Sequence, residues 1–335
     1  MDPLFLDRPL AIAIGDPAGI GPEILTRAWE RREAEGLSPF FAVGGNEGIE
    51  AVWDGPVRII ADPAEAMTCF ADALPLIRIE GSGQVSPGVP TMEGARNSLD
   101  ALELAVGLTR SGAAAALVTG PVSKAQLYAI GFTYPGQTEF IAERCGIAAD
   151  MVAMMLAGPT LRTVPATTHV PLRDVPDLLS PDLIVAKGRT LIRGLRRQFG
   201  IERPRIAVAG FNPHAGESGA LGREEIDIVI PAIERLRSEE EAELTGPHAP
   251  DTMFHPRARA GYDAALCLYH DQALVPLKTL HFDEGVNVTL GLPIVRTSPD
   301  HGTAFAIAGQ GKAEIGAMIA AISMAASCAR RFAET

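Results

Sequence analysis

Cysteine is scarce in this sequence. Four cysteines occur among 335 residues, and none forms a CxxC pair. Each lies in an apolar stretch, which is typical of a buried thiol and not of a disulfide framework or a thiolate metal site. A chain of this length buries a core large enough to fold without disulfide bonds. We therefore expect reduced thiols and a cytoplasmic protein. The cysteines are Cys69, Cys145, Cys267 and Cys328.

Positive charge is also sparse. The chain has 29 Lys and Arg residues against 41 Asp and Glu residues, which gives a net charge of −12. No basic run is longer than two residues. A surface that binds a nucleic-acid duplex needs clustered basic side chains. The sequence therefore predicts no nucleic-acid partner.

Long apolar runs are missing as well. The longest uncharged stretch, residues 315–329, is shorter than the roughly 20 residues that cross a bilayer. Its Ala-rich and Ser-rich composition predicts a core or interface helix instead. The N-terminal sequence carries Asp2 and Asp7 where a secretory signal carries positive charge. We therefore expect neither membrane association nor export.

What the chain does contain is a regular alternation of two patterns. Short apolar runs, typical of strands buried on both faces, are followed by segments whose apolar residues recur every three or four positions, which is typical of helices. This order predicts an α/β fold with largely parallel sheets and helices on both faces. The predicted strands cover residues 10–14, 41–43, 57–60, 76–79, 114–118, 151–156, 162–167, 205–209 and 264–269. The predicted helices cover residues 22–34, 93–111, 181–199 and 222–241.

A glycine-rich segment, GDPAGIGPE at residues 15–23, follows the first predicted strand and precedes the first predicted helix. Glycine permits turn angles closed to other residues, and Pro22 suits the first turn of a helix. A helix N-terminus after such a turn can bind an anion or a cofactor, although the spacing differs from the dinucleotide fingerprint GxGxxG. A tight strand-to-helix turn without a ligand is the alternative.

Three of the seven histidines occupy similar positions at the ends of predicted strands. They are His169 in TTHVPL, His214 in FNPHAGESG and His270 in YHDQ. The carboxyl ends of parallel strands line the ligand crevice, so three converging imidazoles would make an open site for a divalent ion. The alternative for each is a hydrogen-bonded loop histidine. Three others lack such a setting and are interpreted as structural or surface residues: His248, His255 and His281.

Two isolated cations, Lys278 and Arg296, lie in apolar surroundings. Since a buried cation without a partner is costly, each should meet a carboxylate or a ligand phosphate. Internal ion pairs are the alternative. In GQTEF, Thr138 could cap a helix that begins near Glu139, which would expose N–H groups to an anion, although a simple cap is equally compatible. The loop at 298–312 is rich in small residues that let backbone approach a cofactor.

These motifs extend in order over nearly the whole chain, from Gly15 to Gly311. They read GDPAGIGPE, GQTEF, TTHVPL, FNPHAGESG, YHDQALVPLK and DHGTAFAIAGQG. Together they resemble the 4-hydroxythreonine-4-phosphate dehydrogenase family of vitamin B6 biosynthesis. The resemblance implies a homodimeric, metal-dependent enzyme that oxidises 4-phosphooxy-L-threonine with NAD(P)⁺ and releases CO₂, giving 3-amino-2-oxopropyl phosphate.

The resemblance also implies a two-lobed fold similar to isocitrate and isopropylmalate dehydrogenases, with the active site in a cleft between the lobes at the dimer interface. We accordingly expect a discontinuous cofactor-side lobe at 1–130 plus 271–335. Residues 131–270 would form the lobe for metal binding and dimerisation.

The resemblance assigns chemical roles to several residues. The family's metal ligands fall on His169, His214 and His270, which would hold one Zn²⁺, Co²⁺, Mn²⁺ or Mg²⁺ ion per site. A dication held by neutral imidazoles can lower the pKa of a substrate hydroxyl and stabilise the enolate left after CO₂ loss. An acid must then return a proton. The candidate catalytic residues are Asp251, Asp271 and Lys278.

The family's substrate contacts fall on Thr138, Lys278, Asn287 and Arg296. One position departs from the family, which usually has His before the threonine where this chain has Gln137. Glutamine can donate a hydrogen bond to a phosphate but carries no charge, so affinity falls or the substrate differs. The alternatives are a same-family dehydrogenase acting on another hydroxy acid, such as a phosphorylated four-carbon sugar acid or a cyclic dihydrodiol dicarboxylate, and a non-catalytic ligand-binding protein.

The cofactor contacts implied by the resemblance lie in two segments. The adenosine end of the dinucleotide would lie near His301, Gly302, Thr303 and Ala304. The glycine-rich turn would lie opposite. The sequence identifies no acidic residue that would bind the ribose of the adenosine, so the cofactor can be either NAD or NADP. The residues of that turn assigned to the cofactor are Asp16, Gly19 and Gly21.

Overall fold

The structure is a computed structural model that describes residues 6–81 and 83–333. Residues 1–5, which carry part of the export argument, lie outside the described residues. Short apolar runs form strands in this structure, as predicted from their spacing. In chain order, the strands are β1 Leu10–Ala13, β2 Phe40–Gly44, β3 Val57–Ile59, β4 Leu74–Arg78, β5 Leu117–Thr119, β6 Ala153–Ala157, β7 Arg162–Pro165, β8 Arg205–Ala209, β9 Glu243–His248, β10 Ala264–Cys267, β11 Val286–Leu290 and β12 Arg296–Pro299.

The helices connect these strands. Several of them start with the expected chemistry, because Thr91, Ser123 and Ser180 each cap a helix with a side-chain oxygen. In chain order, the helices are α1 Gly21–Glu30, α2 Asn46–Glu50, α3 Ala66–Cys69, α4 Met92–Arg110, α5 Lys124–Ala129, α6 Gln137–Arg144, α7 Val175–Leu178, α8 Pro181–Phe199, α9 Ile230–Glu239, α10 Pro250–Met253, α11 Pro256–Arg259, α12 His270–Leu280 and α13 Gly316–Ala333.

The chain divides into two units. The first contains the residues up to Gly146 together with those from Leu292 onward, and the second contains Ile147–Gly291. The division differs from the expected boundaries at 130 and 270. Helix α12 and strand β11 belong to the second unit because α12 packs on β7, β10 and β6, and β11 pairs with β6.

The first unit has an all-parallel sheet. Its strand order is β3-β4-β2-β1-β5-β12, and each neighbouring pair runs in parallel. Every residue of β1 and β2 is buried, as expected for strands covered on both faces. Helix α13, which contains residues 316–329 of the uncharged stretch, packs on β12 and β5 and is therefore a core helix.

The second unit has a mixed sheet of order β11-β6-β7-β10-β8-β9. The four strands β7, β10, β8 and β9 are parallel, whereas β6 is antiparallel to both of its neighbours. The predicted fold class, α/β with largely parallel sheets, is confirmed. Within the described residues, no helix is both long and apolar enough to span a membrane.

Three strands do not appear among the predicted ones. Strand β9 is an edge strand with Gly and Pro, and β11 alternates polar and apolar residues. Strand β12 is polar in sequence although all four of its residues are buried. None of these three strands contains a continuous apolar run, which is the pattern that predicts a strand buried on both faces.

Two predicted helices also differ in extent. Helix α1 ends at Glu30, because the chain breaks into turns before residue 34. The predicted helix at 222–241 begins instead with a π-helical turn, Glu225–Val229, before α9. Such turns occur often at functional sites.

Candidate active site

Two of the three singled-out histidines lie side by side in the second unit. His169 follows β7 and His270 begins α12 just after β10, and these two strands are parallel neighbours. Their imidazole ring centroids are 5.6 Å apart. The buried Thr167 ties the two segments together, since its Oγ1 donates to the Leu268 carbonyl at 2.9 Å. The expectation that histidines at the carboxyl ends of parallel strands converge therefore holds for His169 and His270.

His270 has a carboxylate beside it. The imidazole Nδ1 lies 2.7 Å from Asp271 Oδ1, so Nδ1 donates to the carboxylate and Nε2 is left to bind a ligand. Neighbouring Tyr269 is half-buried, and burial raises the pKa of its phenol. Asp271 is 76% exposed and is thus accessible from solvent.

Two pockets lie beside His270, and both His270 and Asp271 line each of them. One, of about 240 Å³, also has His169 and apolar Leu172 in its wall. The other, of about 450 Å³, runs along α12 to Lys278. Residues four and eight positions after His270 lie on its face of the helix, which brings the lysine into this wall. The structure therefore groups two proposed ligands with two proposed catalytic residues.

His214 lies in a different segment of the second unit, after β8. Asp251 is on α10, which packs against that segment. Residues 6–81 and 83–333 contain no group of three His, Cys, Asp or Glu residues that could hold a metal ion. One chain thus brings together two of the three expected ligands and leaves His214 and Asp251 outside both pockets.

The backbone around His214 is strained. Five consecutive residues, 214–218, have left-handed φ values of 53°, 52°, 78°, 42° and 57°, and four of them carry a Cβ. Each such residue costs about 1–2 kcal/mol relative to the right-handed region. Strained backbone of this kind persists only where surrounding contacts hold it, and it clusters at functional sites.

A buried cation lies in the first unit. Arg296 on β12 is 4% exposed, and its Nη2 donates to Thr119 Oγ1 at 2.7 Å and to Gln137 Oε1 at 3.4 Å. The Gln137 Nε2 in turn donates to the Gly120 carbonyl at 3.2 Å. Burial lowers the pKa of Arg296 to about 10, against the opposing effect of Glu139. The isolated arginine of the sequence is therefore a desolvated charge with polar neighbours.

Thr138 does not cap a helix. Helix α6 begins at Gln137 with Gly136 as its N-cap, so the expected start near Glu139 is wrong by two residues. Thr138 instead lies in the first turn, where backbone N–H groups lack helical partners.

Asn287 on β11 and His301 each carry an unsatisfied atom. Asn287 Oδ1 and His301 Nε2 are buried and form no hydrogen bond within the described part of the chain. An unpaired buried polar atom costs free energy and needs an explanation. The family resemblance implies a ligand contact for both residues, and a bound ligand would satisfy both atoms. His301 thus fits a site for a dinucleotide.

The glycine-rich turn and the loop at 298–312 pack directly together in the first unit. Ile20 N–H donates to the Thr303 carbonyl at 3.0 Å, and a Cβ on Gly19 would lie 3.0 Å from that same oxygen. A Cβ on Gly21 would lie 2.3 Å from the Ile14 carbonyl. Asp16 is buried, and its carboxylate accepts the Ala18 N–H at 3.0 Å.

Burial raises the pKa of the Asp16 carboxyl. Because this carboxylate faces its own turn, its observed contact is structural. The glycines are likewise required by close backbone packing, which agrees with the tight-turn alternative. Gly302 meets nothing within 4 Å of an added Cβ, and Ala304 has a left-handed φ of 43°.

The remaining histidines and the cysteines make structural contacts. His248 contacts Thr245, and burial lowers its pKa. His255 caps α11 and His281 contacts Thr160. Cys69, Cys267 and Cys328 are buried, whereas Cys145 is only half-buried.

Sequence reasoning missed two polar residues that support the histidine segments. Gln272 is buried, with Oε1 accepting the Leu268 N–H at 2.7 Å and Nε2 donating to the Gly210 carbonyl at 2.8 Å. Glu225 is buried beside the His214 segment. The position of Gln272, two residues after His270, could have indicated its role. Glu225 lies in a helix sequence with many charged residues, so no sequence signal distinguishes it.

Comparison with known proteins adds a family match. The model of the family described as pyridoxal phosphate biosynthetic protein PdxA matches residues 42–325. A 4-hydroxythreonine-4-phosphate dehydrogenase from Zymomonas mobilis subsp. mobilis is 57% identical over 96% of this chain and 96% of its own length.

Solved structures agree with this match. The crystal structure of a 4-hydroxythreonine-4-phosphate dehydrogenase from Klebsiella pneumoniae has a TM-score of 0.85 and 38% identity, over 96% of this chain and 99% of that one. A terephthalate 1,2-cis-dihydrodiol dehydrogenase from Burkholderia xenovorans is more distant, with a TM-score of 0.65 and 27% identity over 96% and 98%. The chain therefore belongs to the PdxA family of pyridoxal phosphate biosynthetic proteins.

Proposed function

We propose that this protein oxidises 4-phosphooxy-L-threonine with NAD⁺ or NADP⁺ and releases CO₂, giving 3-amino-2-oxopropyl phosphate for pyridoxal phosphate biosynthesis. The observation that carries the proposal is the pairing of His169 with His270 beside Asp271 and Lys278. High identity to a relative of the same named activity supports it. The reduced cysteines and the diffusible substrate fit a cytoplasmic enzyme.

The donor set fits a divalent metal. His169 and His270 provide neighbouring imidazoles, and the Asp271 carboxylate orients the second ring as carboxylates do for many metal-bound histidines. Because one chain brings only two of the three together, we propose that His214 of a second copy completes the site. When bound, a divalent ion would lower the pKa of the substrate hydroxyl and stabilise developing negative charge.

Exposed apolar side chains support a homodimer. Leu172 and Val275, in the walls of the two pockets beside the histidine pair, are 66% and 60% exposed. Leu221 and Ile226, close in sequence to His214, are also exposed. Since exposed apolar groups mark interaction sites, we propose that these two faces meet between copies.

Arg296 and the first turn of α6 would hold the phosphate. The guanidinium contributes a charge-assisted hydrogen bond, worth about 1.5–3 kcal/mol when desolvated. Thr138 would add its hydroxyl and the unpaired N–H groups of the helix start. Gln137 holds the guanidinium in place by bridging it to the Gly120 carbonyl.

The chain's residues also account for the protons. A bound NAD⁺ or NADP⁺ would accept hydride from the carbon that bears the hydroxyl, and we propose that His301–Ala304 hold its adenosine end, opposite the turn with Gly19 and Gly21. Carbon dioxide then leaves the 3-oxo acid, and its bonding electrons remain as an enolate. We propose that Lys278 Nζ returns a proton to that carbon, while Asp271 orients His270. Asp251, next to the His214 segment, would accept the proton that the substrate hydroxyl loses when hydride leaves.

The direct test is an assay of purified protein with 4-phosphooxy-L-threonine, NAD⁺ or NADP⁺ and a divalent metal. We expect reduced nicotinamide to form at 340 nm and the signal to disappear after EDTA treatment. Turnover only with a phosphorylated four-carbon sugar acid or a dihydrodiol would favour the alternative dehydrogenase, for which the Burkholderia similarity gives some support. No turnover with any of them would contradict enzymatic function.

Gln137→His tests the departure from the family. A protonated imidazole would add a charge-assisted contact to phosphate. We expect the KM for the phosphorylated substrate to fall about 3–10-fold at pH 6 and to change little at pH 8. Gln137→Met is the matched control, because it removes the bridge to Arg296 and adds no charge, and its KM should rise at both pH values. Unchanged KM in both variants would show that residue 137 does not act on the phosphate.

A further inference from the structure

The strained segment that carries His214 is held by one buried carboxylate. Glu225, at the start of the π-helical turn, is 2% exposed. Its Oε1 accepts the N–H of Phe211 at 2.8 Å and of Asn212 at 2.7 Å. Its Oε2 accepts Asn212 Nδ2 at 3.0 Å. Three hydrogen bonds thus converge on this side chain from the two residues that lead into the segment.

The same carboxylate also packs against the left-handed turn. A Cβ on Gly216 would lie 2.5 Å from Glu225 Oε2, so the turn and the carboxylate touch through a position that only glycine can occupy. The φ of Gly216 is 78°, which glycine adopts without strain. Glu225 therefore contacts both the entry and the middle of the strained segment.

A second buried side chain holds the other side of the same backbone. Gln272 donates to the Gly210 carbonyl and accepts the Leu268 N–H. Residues 210–212 are therefore fixed at a carbonyl by α12, which begins with His270, and at two N–H groups by Glu225. Buried, fully hydrogen-bonded networks of this kind impose a single geometry on the groups they hold.

We infer that Glu225 is a positioning residue that sets His214 in the orientation needed to bind the metal. It does not touch the imidazole itself. It acts through the backbone of 211 and 212 and through its contact with Gly216. The inference rests on the proposed function in one respect only, namely that His214 is a metal ligand.

Glu225→Gln provides the test, with Co²⁺ as the probe. Glutamine keeps the size of the side chain but presents an N–H to Asn212 where an acceptor stood. We expect the Co²⁺ dissociation constant, measured by calorimetry, to rise about 10–100-fold, as for other residues that support a metal ligand. The visible absorption bands of bound Co²⁺ should shift as well, which a general loss of stability would not cause.

Asp227→Asn is the matched control, since Asp227 is exposed in the same turn and pairs with Arg223 instead. It should leave Co²⁺ affinity and spectrum unchanged. Asn212→Ala removes the Nδ2 hydrogen bonds to Glu225 and Glu224 and leaves the two backbone N–H bonds to Glu225 Oε1. We expect a smaller rise of the Co²⁺ dissociation constant in this variant, which serves as the test if Glu225→Gln does not fold. Wild-type affinity and an unshifted spectrum in the folded variants would overturn the inference.

His214→Ala separates this inference from the proposed function. If the wild-type protein turns over no substrate, the proposed function fails. If His214→Ala nevertheless weakens Co²⁺ binding, His214 is a metal ligand and the positioning role of Glu225 still stands. If His214→Ala binds Co²⁺ as tightly as wild type, His214 is no ligand and the inference itself is overturned.

Discussion

His270→Ala is expected to lower kcat/KM by about 10³-fold or more and to abolish tight metal binding. The imidazole is one of the two that a single chain brings together, and Asp271 already orients it. Loss of a ligand removes several kcal/mol of charge stabilisation from the reaction, and each 1.36 kcal/mol is tenfold in rate. The measurement is the rate of nicotinamide reduction, together with the metal content of the purified variant.

His255→Asn is the matched control for this prediction. His255 is exposed and caps α11, and asparagine caps helices as well. The control should keep wild-type turnover and metal content. If His270→Ala retains both, the histidine pair is a pair of loop residues and the assignment is wrong.

Arg296→Met is expected to weaken substrate binding and to stabilise the unliganded fold. Without the guanidinium, the KM for the phosphorylated substrate should rise about 10–150-fold, because a charge-assisted contact worth roughly 1.5–3 kcal/mol is lost. In the unliganded protein, burial lowers the pKa of this arginine, which means that the charged form is penalised on folding. Methionine removes that penalty.

The free energy of unfolding of Arg296→Met should therefore rise by about 1–2 kcal/mol, less the lost hydrogen bond to Thr119. The destabilising effect of the buried Arg296 charge also appears in the pH dependence of the free energy of unfolding. The folded-state pKa of about 10 lies below the ordinary value for arginine, so the unfolded chain holds the proton more tightly above about pH 10. Wild-type stability should accordingly gain a favourable contribution as pH rises through that range, and Arg296→Met should lack it.

Denaturant unfolding and substrate kinetics on the same preparations measure both effects. Arg296→Lys is the companion variant, because it keeps the charge but not the planar geometry. A methionine variant with an unchanged KM would remove Arg296 from the phosphate site. A variant that loses stability would show that the arginine is chiefly a structural element.

Patterns within short stretches of sequence were sufficient for much of the fold. Continuous apolar runs such as 10–14 and 206–209 became strands because burial on both faces requires them to be apolar throughout. Strand β12 was not predicted because its sequence, RTSP, contains no continuous apolar run, although all four residues are buried. Its burial depends on helix α13 and strand β5, which are distant in the chain.

The candidate site was likewise predicted in part from the sequence. The rule that adjacent parallel strands end at one edge predicted the meeting of His169 and His270, and the structure brings them together. The same rule does not extend to His214, because the chain after β8 enters a left-handed turn. The links from Arg296 to Gln137 and from Glu225 to residues 211 and 212 cross long stretches of sequence or depend on side-chain geometry, which no local pattern encodes.

The central claim is that histidines of two copies share one metal site, and a hybrid dimer tests it most directly. One copy carries His214→Ala and the other His270→Ala, with different affinity tags so that only the mixed dimer is purified. Each variant alone should be inactive. In the hybrid, one site contains both defects and the other is intact, so we expect about half of the wild-type activity and of the wild-type metal content. A hybrid as inactive as its parents would contradict the claim.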